Sequence, residues 1–219
     1  MSAQRFDLLV FDWDGTLSDS AGHIVTALQA AFRDLGLPVP DDNSARYVIG
    51  LGLQDALSNL NPGLPVDRYH EVTERYRHHY LAGDSAIRLF PDVPEGIADL
   101  EADGYQLAVA TGKSRRGLDR SLAVTQLERY FHASRCADEG LPKPHPEMLE
   151  FLIERLDVTP ERTLMIGDTT HDLQMAHNAG VAAVAVSYGA HPLPELERLE
   201  PLACLGSFGS LMEWLKQNG

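Results

Sequence analysis

Cysteine, basic residues and long apolar runs are all scarce in this chain. Its 219 residues include two cysteines, Cys136 and Cys204, and neither belongs to a CxxC pair. This argues against a disulfide scaffold and a thiolate zinc site, and it favours a reducing compartment. No apolar stretch approaches the about 18 residues of a membrane span, and the N-terminal residues lack the regions of a signal peptide. We therefore expect a cytoplasmic protein without a membrane partner.

Positive charge is also in short supply. The chain has 18 Lys and Arg residues against 32 Asp and Glu residues, a formal net charge of −14. Such a surface repels nucleic acid, which binds proteins mainly through basic side chains. The densest basic cluster is only Lys113, Arg115 and Arg116. We expect no nucleic-acid partner, and a site for an anion would need a bound cation. Nothing in the sequence distinguishes a monomer from a dimer.

Short apolar runs, each beside a turn or a helical pattern, recur along the chain. The runs are residues 6–11, 107–110, 164–166, 181–186 and 203–205. Apolar residues at helical spacing alternate with them, around residues 97–100, 118–122, 149–156 and 211–215. Strands that alternate with helices indicate βαβ units. The sequence therefore predicts an α/β fold, with a Rossmann-like parallel sheet and helices on both faces.

Residues 18–85 interrupt this alternation, because they contain no convincing strand. Apolar residues recur there at helical spacing in three stretches, residues 24–35, 53–60 and 69–80. Asp19 or Ser20 is a suitable N-cap for the first of these helices. We therefore predict that residues 18–85 form a small all-helical module, inserted after the first strand of a core domain that comprises residues 1–17 and 86–219.

Two carboxylates follow the first predicted strand, in the sequence DWDGT of residues 12–16. Asp12 and Asp14 are two residues apart on an extended segment, so they face the same side. Unpaired, they would repel each other, and a divalent cation removes that penalty. A calcium loop is excluded, because its positions 5 and 12 hold Thr16 and His23. Taken alone, an ordinary acidic turn remains an alternative.

A hydroxyl and a lysine follow the second predicted strand, in the sequence Thr111-Gly112-Lys113-Ser114. A hydroxyl and main-chain N–H groups at the start of a helix can hold phosphate oxygens. A P-loop is excluded, because the glycine that it requires upstream is replaced by Leu107. A plain helix cap is the alternative for this segment.

Two later loops carry one lysine and two aspartates. Lys143 lies in the proline-rich segment 142–146, which can fix its ammonium beside a carboxylate, as phosphoryl transfer requires. The sequence GDTTHD of residues 167–172 places Asp168 at a strand end, where it can bind a metal ion. Asp172 can cap the next helix or face the same site. A solvated lysine and two N-caps are the alternatives. All four loops should converge at one edge of the sheet.

Together, the four segments resemble the motifs of the haloacid dehalogenase superfamily. The resemblance extends from Phe6 to about Gly189, and the helical module matches the small cap domain of that superfamily. In chain order the segments are DWDGT, an apolar strand that ends in Thr111, Lys143-Pro144, and GDTTHD followed by a helix and Ala179-Gly180.

The motifs FDWDGTLSDS and IGDTTHDLQMAHNAG are most similar to the phosphoglycolate phosphatase-like branch. Two residues depart from the pattern of that branch. Trp13 replaces the usual aliphatic residue, and Ser18 replaces a common Val or Thr. We expect the Trp13 side chain to point away from its acidic neighbours by strand alternation, without consequence for the chemistry.

The resemblance implies a phosphatase for a small phosphomonoester such as 2-phosphoglycolate, which reacts through an aspartyl phosphate. Asp12 would be the nucleophile, and Asp14 the general acid and base. Thr111 and the Gly112 amide would hold phosphoryl oxygens, while Lys143 would balance the negative charge.

The resemblance also implies Mg²⁺ as the cofactor. Its ligands would be Asp12, the main-chain carbonyl of Asp14, and Asp168, with Asp172 as a supporting residue that orients them. In the helical module, Arg46 would meet a substrate carboxylate, although an exposed helix arginine is the alternative. A phosphomutase or pyrophosphatase of the same superfamily, or a phosphorylatable signalling module, remains an alternative function.

Overall fold

The computed structural model describes residues 4–83 and 88–219. The strands within these residues are β1 (Leu8–Phe11), β2 (Gln106–Thr111), β3 (Ala133–Cys136), β4 (Thr163–Gly167), β5 (Ala182–Val186) and β6 (Cys204–Leu205). They form one sheet in the order β3-β2-β1-β4-β5-β6, and every neighbouring pair is parallel. The predicted α/β fold with a parallel sheet is confirmed.

Helices cover both faces of this sheet. The α-helices of the described residues are α1 (Ala21–Asp34), α2 (Asp42–Tyr47), α3 (Leu53–Leu60), α4 (Tyr69–Gly83), α5 (Val93–Ala102), α6 (Arg115–Thr125), α7 (Glu147–Leu156), α8 (Thr170–Asn178), α9 (Leu193–Glu197) and α10 (Phe208–Asn218). Leu9 and Phe11 of β1 pack with α5, α6 and α10, whereas Leu8 and Val10 pack with α7 and α8. Because β1 is buried on both faces, its sequence is a continuous apolar run. None of the helices in the described ranges is both long and apolar enough to cross a membrane.

Strand β3 was not predicted. Its sequence, Ala133-Ser134-Arg135-Cys136, buries only the last residue. It lies at the edge of the sheet, where it pairs with β2 alone. An edge strand covered on fewer sides does not need a continuous apolar run, so its sequence lacks the signal that marks the inner strands.

Helices α1 to α4 form a helical layer, called the cap here. Leu28 and Phe32 of α1, Leu57 of α3 and Val72 of α4 are buried within it. The three predicted helices correspond to α1, α3 and α4. Helix α2 was not predicted, because it has six residues and buries only Ala45.

The two connections between the cap and the sheet pair with each other. Asp19 N donates to Arg88 O at 2.8 Å, and Phe90 N donates to Leu17 O at 3.0 Å. The predicted start of the insertion, after residue 17, lies in this paired segment. Its predicted end, between residues 85 and 86, lies outside the described residues.

Candidate active site

Asp12 lies near the centre of the sheet, directly after β1. The neighbouring strands β2 and β4 end at Thr111 and Gly167, so the loops after all three strands open at one edge of the sheet. Trp13 is fully buried on the opposite side, with its ring edge-on to Phe131 at a centroid distance of 6.5 Å. Asp12 therefore faces the shared edge, while the residue after it belongs to the apolar core.

Three carboxylates and one ammonium group are buried together at this edge. One oxygen from each of Asp12, Asp168 and Asp172 lies within 4.8 Å of the others. The ammonium of Lys143 donates to Asp172 Oδ1 at 2.6 Å and lies 2.8 Å from Asp12 Oδ1. No more than 1% of any of these four residues is exposed. The structure thus brings together predicted residues from three separate loops. We call the three carboxylates, Asp12, Asp168 and Asp172, the acidic cluster.

Burial dominates the electrostatics of the acidic cluster. Loss of water raises the pKa of Asp12 to about 7, and the nearby Lys143 ammonium offsets only part of this effect. Burial and the charges of Asp12 and Asp172 also raise the pKa of Asp168 well above its usual range. Burial by itself would lower the pKa of Lys143. The negative charges of Asp12 and Asp172 outweigh that effect, so the pKa of Lys143 is raised. One ammonium therefore does not neutralise three carboxylates.

The acidic cluster fits a hard divalent cation. Both carboxylate oxygens of Asp12 are buried without a hydrogen-bond partner among the described residues. Oδ1 lies 2.8 Å from the Lys143 ammonium as an ion pair, so Oδ2 is the oxygen with neither kind of partner. Buried polar atoms are normally paired, and carboxylate oxygens are preferred ligands of Mg²⁺. A carboxylate with an unpartnered oxygen beside two more carboxylates is therefore suited to a Mg²⁺ ion.

Asp168 and Asp172 are held in place by neighbouring donors. Asp168 Oδ1 accepts from the Thr16 hydroxyl at 2.7 Å, and its Oδ2 accepts from Ala190 N at 2.7 Å. Asp172 Oδ2 accepts from the hydroxyl and the N–H of Thr169, and together these residues form the capping box of α8. Asp172 is the third residue of α8, so it completes the capping box with one oxygen and faces the site with the other, while the N-cap itself is Thr169.

Asp14 is linked to the residue before α1 and, through Lys113, to the cap. Its Oδ1 accepts from the Ser20 hydroxyl at 2.6 Å and from Lys113 Nζ at 2.9 Å. Lys113 also donates to the Tyr80 hydroxyl of α4 at 2.8 Å. Ser20 occupies the N-cap position of α1, as expected, but its hydroxyl makes no capping hydrogen bond and donates to Asp14 instead.

Lys113 and Tyr80 were not predicted as site residues. Lys113 could have been found, since it follows the Thr111-Gly112 motif directly. Tyr80 carried no such signal, because its position next to Lys113 depends on how the cap docks onto the core. Both residues belong to the surroundings of the predicted general acid.

The Thr111-Gly112 segment meets the cap backbone. Thr111 is fully buried at the end of β2, and its hydroxyl accepts from Lys113 N at 3.2 Å. A Cβ atom at Gly112 would lie 2.6 Å from the carbonyl oxygens of Gly50 and Leu51. Only glycine permits this close approach of the cap loop to the second motif.

Arg46 is paired with none of the residues of the acidic cluster. It belongs to α2, it is partly exposed, and it forms no ion pair or side-chain hydrogen bond with any described residue. The next residue, Tyr47, contacts the core through its main-chain carbonyl. The role of Arg46 in substrate binding stays a prediction.

We expect Gly112→Ala to lower kcat/KM for a phosphomonoester by about 10²-fold, because the added methyl group displaces the cap loop from the second motif. Gly22→Ala is the matched control, since a Cβ at Gly22 in α1 meets nothing within 4 Å. Steady-state kinetics of the two variants test this expectation. Equal kcat/KM values for both would show that the Gly112 contact does not matter for activity.

Comparison with known proteins identifies clear relatives. A family model described as haloacid dehalogenase-like hydrolase matches residues 9–186. A probable phosphatase, IndB, from Dickeya dadantii is 38% identical over 94% of this chain and 91% of its own length. A phosphoglycolate phosphatase from Haemophilus influenzae is 32% identical over 84% of this chain and 87% of its own length.

The fold is also shared with solved structures. A crystal structure described as a predicted phosphoglycolate phosphatase from Haemophilus somnus superposes with a TM-score of 0.84 and 26% sequence identity. The match covers 97% of this chain and 99% of the solved one. The sheet and the cap therefore occur together, in nearly complete form, in that protein.

Proposed function

Because the chain belongs to the haloacid dehalogenase-like hydrolase family, we propose that it is a Mg²⁺-dependent phosphatase that attacks phosphomonoesters with Asp12. One observation carries this proposal. Asp12 presents two buried carboxylate oxygens without hydrogen-bond partners, at the edge where Lys143 and Asp168 also lie. The phosphatase names of two relatives support the reaction class.

The reaction has two steps. In the first, an oxygen of Asp12 forms a bond to phosphorus while the bond to the leaving alcohol breaks, which gives an aspartyl phosphate. Asp14 donates a proton to the leaving oxygen. In the second step, Asp14 takes a proton from the water that attacks phosphorus, and Asp12 is released. The order of these proton transfers restores Asp14 to its starting state in each cycle.

A cationic side chain and neutral hydrogen-bond donors stabilise the negative charge on the phosphoryl oxygens during these steps. The Lys143 ammonium stabilises the nucleophile and the phosphoryl oxygens together. Thr111 and the Gly112 amide hold phosphoryl oxygens from the end of β2. The cap lies over this edge through Gly50 and Leu51, so it can exclude water and select the leaving group.

The acidic cluster would hold Mg²⁺ through Asp12, Asp168 and the main-chain carbonyl of Asp14, with Asp172 in support. When bound, the ion supplies the positive charge that lets a phosphate dianion approach three carboxylates. Lys143 alone leaves the cluster negative, which would repel such a substrate.

We expect an excess of chelator to stop phosphate release, and added Mg²⁺ to restore it. Mg²⁺ should also raise the Tm of the wild-type protein, because a ligand that binds only the folded state stabilises it. Asp168→Asn is the matched variant, and its Tm should respond to Mg²⁺ much less. Full activity in excess chelator would contradict the metal assignment.

A small phosphomonoester resembling 2-phosphoglycolate is the substrate class that we propose. The name of the Haemophilus influenzae relative supports it. Arg46 of the cap would meet a carboxylate on the leaving group. We also propose a cytoplasmic location, which the two free cysteines, Cys136 and Cys204, support.

A screen of phosphorylated metabolites with phosphate release as the readout tests this function. A phosphomutase would isomerise a sugar phosphate without net phosphate release, and a pyrophosphatase would prefer pyrophosphate. A phosphorylatable signalling module would retain one phosphoryl group from acetyl phosphate, whereas a hydrolase would consume it repeatedly. Absence of turnover on the whole panel with Mg²⁺ present would overturn the proposal.

A further inference from the structure

Two buried histidines of the core converge on one atom of the cap. His171 lies in α8, and His191 lies in the loop after β5; they are 8% and 2% exposed. Their Nε2 atoms lie 2.8 Å and 3.0 Å from the main-chain oxygen of Tyr47, at the end of α2. Neither histidine has a part in the reaction steps above.

The hydrogen bonds around these rings show which nitrogen carries the proton. His191 Nδ1 accepts from the main-chain N–H of Thr170 at 3.1 Å, so its proton is on Nε2. A carbonyl oxygen only accepts, so the His171 Nε2 within 2.8 Å of Tyr47 O is also a donor. The two imidazoles therefore donate to the two lone pairs of one carbonyl.

Ring contacts reinforce this arrangement. The Tyr47 ring stacks on His191 with an interplanar angle of 9° and a centroid distance of 5.2 Å. It meets His171 edge-on at 5.3 Å. Such aromatic pairs add to the energy of the buried area, so the end of α2 is held by both its main chain and its side chain.

The contact joins the cap to the loops that carry the acidic cluster. His171 directly precedes Asp172, and His191 N donates to Asp168 O at 3.3 Å. On the cap side, Tyr47 leads within three residues to Gly50, whose carbonyl lies against Gly112. The position of the Tyr47 carbonyl therefore sets the position of the cap loop above the phosphoryl site.

We propose that His171 and His191 are positioning residues, which hold the cap closed over the active site through the main-chain carbonyl of Tyr47. This inference rests on the proposed phosphatase function. If substrate binds only when the cap is closed, weaker hydrogen bonds from the two histidines to the Tyr47 carbonyl lower the fraction of closed protein. The apparent affinity for substrate then falls by the same factor as that fraction. Saturating substrate closes the cap again, so kcat is preserved.

Replacement of His171 gives the kinetic test. His171→Leu removes the N–H donor, and we expect KM to rise by up to about fivefold, the limit set by the loss of one hydrogen bond, with kcat within about twofold of wild type. His171→Gln keeps an N–H donor at the end of its side chain, so its KM should be closer to that of wild type. A residue with a merely structural role would instead lower kcat through loss of folded protein, equally in both variants. An unchanged KM in His171→Leu would overturn the proposal.

A disulfide across the cap boundary measures closure without any substrate. A Cβ at Gly52 of the cap would lie 3.5 Å from the Cβ of Ala137 in the core, a separation that a disulfide accepts. In a background with Cys136→Ala and Cys204→Ala, the pair Gly52→Cys and Ala137→Cys should be cross-linked by oxidised glutathione. We expect His171→Leu to slow this cross-linking several-fold.

Equal cross-linking rates with and without His171→Leu would overturn the proposal that these histidines hold the cap closed. This result does not depend on catalysis, so it is separate from a failure of the proposed function. His191→Leu provides a second variant, with the same expected loss of closure. Its Tm is measured in parallel, because this substitution also removes the acceptor of the Thr170 N–H.

Discussion

Asp12→Asn is expected to lower kcat by at least about 10³-fold while the protein stays folded. The amide has the shape of the carboxylate but cannot attack phosphorus, so no aspartyl phosphate forms. The fold should tolerate the change. Burial raises the pKa of Asp12 to about 7, which shows that the ionised carboxylate is costly at this position, and a neutral amide avoids that cost.

Phosphate release, circular dichroism and thermal unfolding provide the measurements for this variant. In addition, acid quenching of wild-type protein during turnover should trap a phosphoryl group on Asp12, detectable by mass spectrometry, and Asp12→Asn should carry none. Asp7→Asn is the matched control, because Asp7 precedes β1 but forms a partly exposed ion pair with Arg162. Retention of more than a few per cent of activity in Asp12→Asn would remove Asp12 from the role of nucleophile.

Lys143→Met should affect both activity and stability strongly. Methionine keeps most of the apolar stem of lysine but removes the charge between Asp12 and Asp172. We expect kcat/KM to fall by at least about 10²-fold, because a group that stabilises the phosphoryl charge is lost. Breaking a buried ion pair also leaves unbalanced carboxylates, which should lower the free energy of unfolding by about 3–5 kcal/mol without Mg²⁺.

The destabilisation of Lys143→Met should depend on pH. The folded-state pKa of Asp12 is raised from 3.8 to about 7 by burial, so the folded protein favours its protonated form. A raised pKa contributes stability at low pH that is lost as pH rises through the folded value. The variant lacks the ammonium that opposes this shift. Its loss in free energy of unfolding relative to wild type should therefore be smallest near pH 3.8 and largest above about pH 7.

Mg²⁺ should partly rescue the stability of Lys143→Met, because the ion replaces a missing positive charge. The increase in Tm on addition of Mg²⁺ should therefore be larger in the variant than in wild type. Lys216→Met is the control, since this lysine is exposed near the end of α10. Wild-type stability and activity in Lys143→Met would show that the ammonium balances neither the carboxylates nor the substrate.

The convergence of the predicted residues could be foreseen because they lie in short segments beside strands that are easy to recognise. Strands β1, β2 and β4 are buried on both faces, so their apolar runs mark where each strand ends. Asp12, Thr111 and Asp168 lie at or directly after those ends. Parallel strands open at one edge of a sheet, and the convergence of the four loops follows from that geometry.

Elements without such a pattern escaped prediction. Strand β3 buries one residue of four, and α2 buries one of six, so neither has a period that separates it from a loop. Ser20 illustrates a different limit. A serine before a helix is a good N-cap on local grounds, but the Ser20 side chain is turned towards Asp14, to which its hydroxyl donates, and it accepts no main-chain N–H of α1.

The sequence by itself determined most of the strands and helices, the acidic motifs and the reaction class, because each of these depends on residues close together in the chain. Only the tertiary structure decided which groups pair across the site. The ammonium of Lys143 meets a carboxylate 29 positions away, and the two histidines meet the Tyr47 carbonyl across 124 and 144 positions. Such contacts depend on how the cap docks onto the sheet, and no local pattern of residues encodes that docking.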